Sequence, residues 1–456
     1  MDQATKQQLL HKDRQRVWHP FTQMKDYAEQ DHLLIEKAQG IYLYDADGNR
    51  YYDTVSSWWV NVHGHGHPRI KQAIARQLEE TDHIMFSGFT HRPGIELADK
   101  LIAIAPPGLG KVFYSDNGST AVEVALKMSF QYWRHTGHPR KTKFAYLTNS
   151  YHGDTLGAVS VGGVELFHAA FKPLLFDGYA IEGPAISEWS GGKPAPEAAA
   201  QAVSDALEAV RQRFEQSADE IAGLIVEPMI QAAGGMLIHP ASYIAGLREL
   251  CTRYEVHLIA DEVAVGFGRT GTMFACEHAQ VTPDLLCLSK GLTAGMLPLA
   301  VTLCTDHIYE AFYDDYETLK TFFHGHSFTG NPLGCAVALE SLRLFEEDRV
   351  LDHVGAVSRA LGEQLQRLES FGHVAGIRQL GMVAAFELVE DKASRRPYPF
   401  AERRGYRLYG EALKEGLILR PLGDTIYYFL PHCTSIDQLH DIVDRTCTVL
   451  ERLGYR

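Results

Sequence analysis

Short apolar runs rich in β-branched and aromatic residues alternate, through the middle of this chain, with longer stretches whose apolar residues recur at every third or fourth position. A run of that length fits a strand buried on both faces, and the intervening pattern fits an amphipathic helix. Strands joined through helices pair in parallel, so the alternation restricts the chain to an α/β fold on a mostly parallel sheet. Strands are expected at Phe113–Ser115, Lys143–Leu147, Ala222–Val226, His257–Ala260, Leu285–Leu288 and Leu299–Cys304, and helices at Thr120–Arg134, Ala198–Glu215, Ala241–Tyr254 and Asn331–Glu347. Residues 191–196, Gly-Gly-Lys-Pro-Ala-Pro, read as a surface loop.

The ends of the chain look different. Residues 40–53 form a hairpin pattern with Asp47-Gly48 at its turn, and beyond about residue 340 a smaller α+β pattern returns. The division expected is 1–60 as the N-terminal segment of a small domain, 61–335 as the large domain, and 336–456 as the rest of the small one. At 456 residues with a formal net charge of −14, the chain lacks the clustered Lys and Arg that attract nucleic acid or anionic membrane, so small-molecule substrates are the better expectation. Seven cysteines without a Cys-x-x-Cys pair suggest neither disulfides nor zinc, and no apolar stretch approaches the roughly 18 residues of a membrane span. A cytoplasmic protein is expected.

In an open parallel sheet ligands bind beyond the carboxyl ends of the strands, so polar residues that follow apolar runs belong together. Five clusters do so here. Ser115-Asp116-Asn117-Gly118-Ser119 opens a helix whose free N–H groups suit a phosphate, although helix capping alone accounts for the same residues. Asn149-Ser150-Tyr151-His152-Gly153 offers a ring that can stack on a flat cofactor, or a core tyrosine. Glu227-Pro228 ends the third strand; a solvated turn carboxylate is the plain alternative. Asp261-Glu262 ends the fourth, where a carboxylate facing a pyridinium nitrogen would keep it protonated, unless it merely caps a helix. Ser289-Lys290-Gly291 ends the fifth, placing an amine where a Schiff base with pyridoxal phosphate needs one, unless Lys290 is a surface lysine.

Two motifs argue for other chemistry and fail on context. Gly266-Phe267-Gly268-Arg269-Thr270-Gly271 matches the dinucleotide fingerprint in letters, but Asp261-Glu262 intervenes after the strand and no amphipathic helix clearly follows. His63-Gly64-His65-Gly66-His67 has metal-ligand residues in a glycine turn without a nearby supporting carboxylate, so no metal is expected.

Residues 261–271 with Ser289-Lys290-Gly291 resemble the signature of class III aminotransferases of fold-type I, and the resemblance covers nearly the whole chain. It implies pyridoxal 5′-phosphate as cofactor and a homodimer. Lys290, Asp261 and Tyr151 would be the catalytic residues; Gly118 and Ser119 would cradle the phosphate, with Glu227 and Val263 lining the cofactor and Ser327 reaching the phosphate of a neighbouring subunit. Trp18 to Thr22, Ser56 to Trp59, His324-Gly325, Gly330-Asn331-Pro332 and Arg420-Pro421 further imply amination of 8-amino-7-oxononanoate in biotin biosynthesis. In that reading Arg420 clamps the acceptor's carboxylate, Trp58 and Trp59 wall its aliphatic chain, and Phe21 and His326 complete the substrate site with Tyr151 and Lys290. Phe21, where adenosylmethionine-using members carry Tyr, and His326-Ser327, where they carry Pro-Thr, bring L-lysine close behind S-adenosylmethionine as the donor implied. Other ω-amino acid aminotransferases of the class remain the alternative.

Overall fold

The structure is a computed structural model and describes residues 1–186, 189–190 and 192–456. Its central feature is a seven-stranded sheet in the order Leu109–Ser115, Ala300–Thr305, Leu285–Leu288, His257–Asp261, Ile221–Val226, Lys143–Leu147 and Tyr179–Ile181. All pairs from Leu285–Leu288 to Tyr179–Ile181 are parallel, each strand feeding a connection that returns to the same starting edge. Ala300–Thr305 runs antiparallel to both neighbours. It follows Leu285–Leu288 after a short connection holding only a 3₁₀ turn, too little for the helical crossover a parallel pairing needs.

Ile221–Val226 and Leu285–Leu288 are buried at every position, which is why they read as unbroken apolar runs and not as alternating ones. Helices Gly118–His135 and Ala241–Arg253 bury apolar stripes near the sheet, Val122, Ala125 and Met128 on the first and Ile244, Leu247 and Cys251 on the second. The expected helices and strands are all present, with ends shifted by a few residues where apolar periodicity carries no information about caps.

The hairpin at residues 40–53 is there, with Tyr42 opposite Tyr52, and Ile35–Gln39 adds a third strand that the sequence pattern did not reveal. This sheet is tied to the far end of the chain. Tyr52 N–H donates to Gly416 O at 2.8 Å, and Ile418 N–H donates back to Tyr52 O at 3.1 Å. A separate antiparallel sheet, Val374–Leu380, Val383–Asp391, Arg396–Pro397 and Thr425–Phe429, carries the C-terminal part. The boundary read at 335/336 falls inside one continuous helix, Pro332–Glu347, which packs on Pro68–Glu80 and Arg92–Ile104. Of the loop expected at 191–196, residue 191 lies outside the described residues, Lys193–Pro194 pairs with Trp189–Ser190, and Pro196 already begins the helix to Ser217.

Among the described residues no helix is long and apolar enough to cross a membrane.

Candidate active site

The parallel pairing brings the ends of Ile221–Val226, His257–Asp261 and Leu285–Leu288 side by side, so Glu227, Asp261 and Lys290 face one cleft. The strand Leu109–Ser115 points the same way and delivers Gly118 and Ser119 to it; Lys143–Leu147 delivers Tyr151, His152 and Gly153. The cleft has a volume of about 790 Å³ and is also lined by Phe21, Trp58, Trp59, Val263 and Arg420. All five strand-end clusters therefore meet, together with residues from both ends of the chain.

Asp261 is buried, and both its oxygens are engaged: Oδ2 accepts from His152 Nδ1 at 2.7 Å and Oδ1 from Val263 N–H at 3.0 Å. His152 is itself buried, and through Nδ1 its ring supports the carboxylate. Lys290 holds a left-handed backbone conformation, φ 44°, unusual for a residue with a side chain. Its Nζ lies 4.7 Å from the centroid of the Trp59 ring. Desolvation by the surrounding protein lowers the Lys290 pKa to about 8, against the smaller opposing pull of Asp261 and Glu227. Burial pushes the Glu227 carboxyl up to about 7, while its oxygens accept the N–H groups of Tyr151 at 3.0 Å and Ala232 at 2.9 Å.

Helix Gly118–His135 opens into the cleft behind an Asn117 cap, which accepts from Thr120 N–H at 3.1 Å. The first N–H groups, at Gly118 and Ser119, precede the first helical bond, from Ala121 to Asn117 O, and are free for an anion. Both glycines here are required. A Cβ on Gly118 would come within 2.5 Å of Val263 Cγ1, and one on Gly153, at φ 121°, within 1.9 Å of Ser119 Oγ.

At the other side Arg420 lies with Cζ 4.9 Å from the Trp58 ring centroid and, among the described residues, makes no ion pair. Phe21 meets Trp58, Tyr151 and Phe167 edge-on, with centroids 5.7, 6.4 and 5.3 Å apart. Residues Ser56 to Trp59 all have positive φ, between 45° and 73°, a left-handed turn that costs roughly 1–2 kcal/mol per residue.

The aminotransferase class-III family model matches residues 24–450. A curated adenosylmethionine-8-amino-7-oxononanoate aminotransferase from Geobacter sulfurreducens is 49% identical, covering 96% of this chain and 96% of its own. The chain belongs to the class-III aminotransferase family. Among solved structures, the adenosylmethionine-8-amino-7-oxononanoate aminotransferase of Methanocaldococcus jannaschii superposes with a TM-score of 0.92 at 39% identity, covering 98% of this chain and 99% of that one. An omega transaminase from Pseudomonas jessenii, in complex with PMP, gives a TM-score of 0.92 at 32% identity, with coverage of 97% and 98%.

Class-III aminotransferases are fold-type I enzymes that work with pyridoxal 5′-phosphate. The residues present fit that group: a partly deprotonated amine, a carboxylate with two N–H donors to hold it, and free helix N–H groups share one cleft. Two residues expected at the site stand apart from it in this single chain. Neither His326 nor Ser327 lines the cleft; His326 Nε2 lies 4.0 Å from Asp116 Oδ1, and Ser327 is exposed. Conversely, the cleft includes His152, Phe167 and Tyr427, which sequence reasoning did not single out. His152 lies within the Asn149–Gly153 cluster and adjoins Tyr151; Tyr427 had no local signal, since Trp59, which donates to its hydroxyl, is far away in sequence.

The two decoy motifs have structural partners of their own. Arg269 of the glycine-rich segment is buried, donating to Leu430 O and, at 3.1 Å, to Asn61 O. His63 bonds to Ser341, and His65 to the carboxylate of Asp53, a supporting acid that was not expected near this turn because it comes from the preceding hairpin; among the described residues no group of three His, Cys, Asp or Glu is placed to hold a metal.

Proposed function

We propose that this aminotransferase moves an amino group onto 8-amino-7-oxononanoate to give 7,8-diaminononanoate, a step of biotin biosynthesis, with S-adenosylmethionine as the donor and the cytoplasm as its location. Relatives bearing that activity in their names align over nearly the full chain. The observation that carries the reading is Arg420: a guanidinium in the cleft that lies over an indole and, among the described residues, makes no ion pair. A planar fork of N–H donors pairs bidentately with a carboxylate, and the acceptor has one at the end of an aliphatic chain. Trp58 and Trp59 supply the apolar walls that such a chain needs.

Pyridoxal phosphate, when bound, supplies an aldehyde that takes up the donor's amine and a ring that withdraws electrons from the carbon losing its proton. Gly118 and Ser119 would hold its phosphate and Tyr151 would pack on its ring. Asp261, held by two N–H donors, would face the ring nitrogen and retain a proton there. Lys290 is the amine that would hold the cofactor's aldehyde, and when free it would carry the proton from the substrate's α-carbon. A pKa of about 8 leaves a useful share of that amine free to accept a proton near neutral pH. Val263 packs against Gly118 beneath the site and Glu227 fixes the backbone of Tyr151. His326 and Ser327 sit on an exposed segment that would reach the cleft of a second copy, completing two sites in a homodimer.

A second donor is favoured by one observation. Phe21, packed against Trp58, Tyr151 and Phe167, has no hydroxyl where adenosylmethionine-using members carry Tyr, which brings L-lysine close behind. Mixing the cofactor-loaded enzyme with each donor alone and following the cofactor's visible absorbance tests both. Loss of the band with adenosylmethionine supports the first reading, loss with lysine only supports the second, and no change with either contradicts both.

A further inference from the structure

We propose that Asp53, which does not line the cleft, is the positioning residue that holds the left-handed Ser56–Trp59 turn and so sets both indole rings of the active site. The inference rests on the reading of Trp58 and Trp59 as walls of the acceptor site. Four consecutive side-chain-bearing residues with φ of 50°, 45°, 73° and 73° do not persist on local preference. Something outside the turn must over-determine it.

Asp53 is 2% exposed and both its carboxylate oxygens are directed at the turn. Oδ1 accepts Ser57 N–H at 2.8 Å, and Oδ2 accepts the Ser57 hydroxyl at 2.7 Å and His65 Nε2 at 2.8 Å. His65 is held in turn by a backbone bridge, with Gly40 N–H donating to its carbonyl at 3.0 Å and its own N–H donating to Gly40 O at 2.8 Å. The carboxylate is thus anchored to the N-terminal sheet on one side and grips the turn on the other. Downstream, Ser56 Oγ donates to Phe429 O at 2.5 Å and Trp59 Nε1 to Tyr427 OH at 3.2 Å, which ties the turn to the C-terminal sheet. Trp58 then lies against Arg420 and Trp59 against Lys290.

Alanine at 53 removes both acceptors and leaves Ser57 N–H to seek another partner. Asparagine keeps one oxygen for that N–H but turns the other position into a donor. The readout that a general loss of stability would not move is the environment of the indoles in folded protein. In cofactor-free enzyme, Asp53→Ala is expected to shift tryptophan emission to longer wavelength, and a Trp58→Phe, Trp59→Phe background is expected to abolish that shift. In the loaded enzyme the same variant is expected to raise KM for the keto-acid acceptor about tenfold or more, with Asp53→Asn between it and the parent. Should Asp53→Ala fail to fold, the nearly isosteric Asp53→Asn carries the same two measurements. Unchanged emission in folded variant, or a shift that survives loss of both tryptophans, overturns the proposal. Emission that moves while acceptor KM does not supports the clamp and overturns instead the reading of the indoles as acceptor walls.

Discussion

Lys290 shows how a single side chain can be recognised from its neighbours and still owe its chemistry to the fold. The sequence places it after an apolar run; the structure surrounds it with enough protein to bring its pKa to about 8. The folded value lies below the ordinary 10.5, so the unfolded chain binds more protons between the two. Burial of this amine therefore opposes folding of the cofactor-free protein in full below about pH 8, and that opposition fades as pH rises toward 10.5. Acylation of Lys290 by a soluble amine reagent, read by mass spectrometry, should accordingly reach half its maximum near pH 8, well before exposed lysines. A midpoint with the exposed lysines would show that the amine is not desolvated. Arg420→Ala should weaken the keto-acid acceptor by 10-fold or more, about 1.4 kcal/mol, with a smaller effect on the amino donor. Equal losses for both substrates would mean that Arg420 does not select the acceptor's terminal carboxylate.

Among elements, the strand ends were legible because an apolar run followed by a polar pair is a local pattern, and Glu227, Asp261 and Lys290 each sit at such a junction. The Ser56–Trp59 turn was not, because its left-handed backbone is imposed by Asp53, His65 and Phe429 and no local preference announces it. Tyr427 was hidden for the same reason: its hydroxyl meets Trp59 only after the C-terminal sheet folds against the N-terminal segment. The loop that carries Tyr151 is held at Gly153, where φ is 121° and a methyl group would strike Ser119. Gly153→Ala should therefore fold but bind cofactor at least 10-fold more weakly, measured by titration of cofactor-free protein, since Ser119 must move from the helix opening. Unaltered affinity would show that this close approach does not shape the phosphate end of the site.

For the whole molecule, the parallel sheet was legible from alternation alone, while its reversed strand Ala300–Thr305 was not, because strand direction depends on the length of a connection and not on the strand's own residues. Assembly of the small sheet regions from both ends of the chain also follows from long-range pairing, as between Tyr52 and Leu417. The segment that carries His326 and Ser327 exposes Tyr316, Leu319, Phe323 and Phe328, at 85%, 67%, 77% and 62%. So much apolar surface in one stretch is costly in water unless covered, and the second copy proposed to take Ser327 into its cleft would cover it. Sedimentation at micromolar concentration should give a dimer; a monomer with full turnover would contradict a shared site.

On the proposed chemistry, one amine at the end of strand Leu285–Leu288 bonds the cofactor while Asp261 holds a proton at the opposite end of its ring. Reduction of the loaded enzyme with borohydride, followed by peptide mapping, measures it most directly. A pyridoxyl group is expected on Lys290 and none in Lys290→Ala; a group on another lysine, or on none, would rule out Lys290 as the bonding amine.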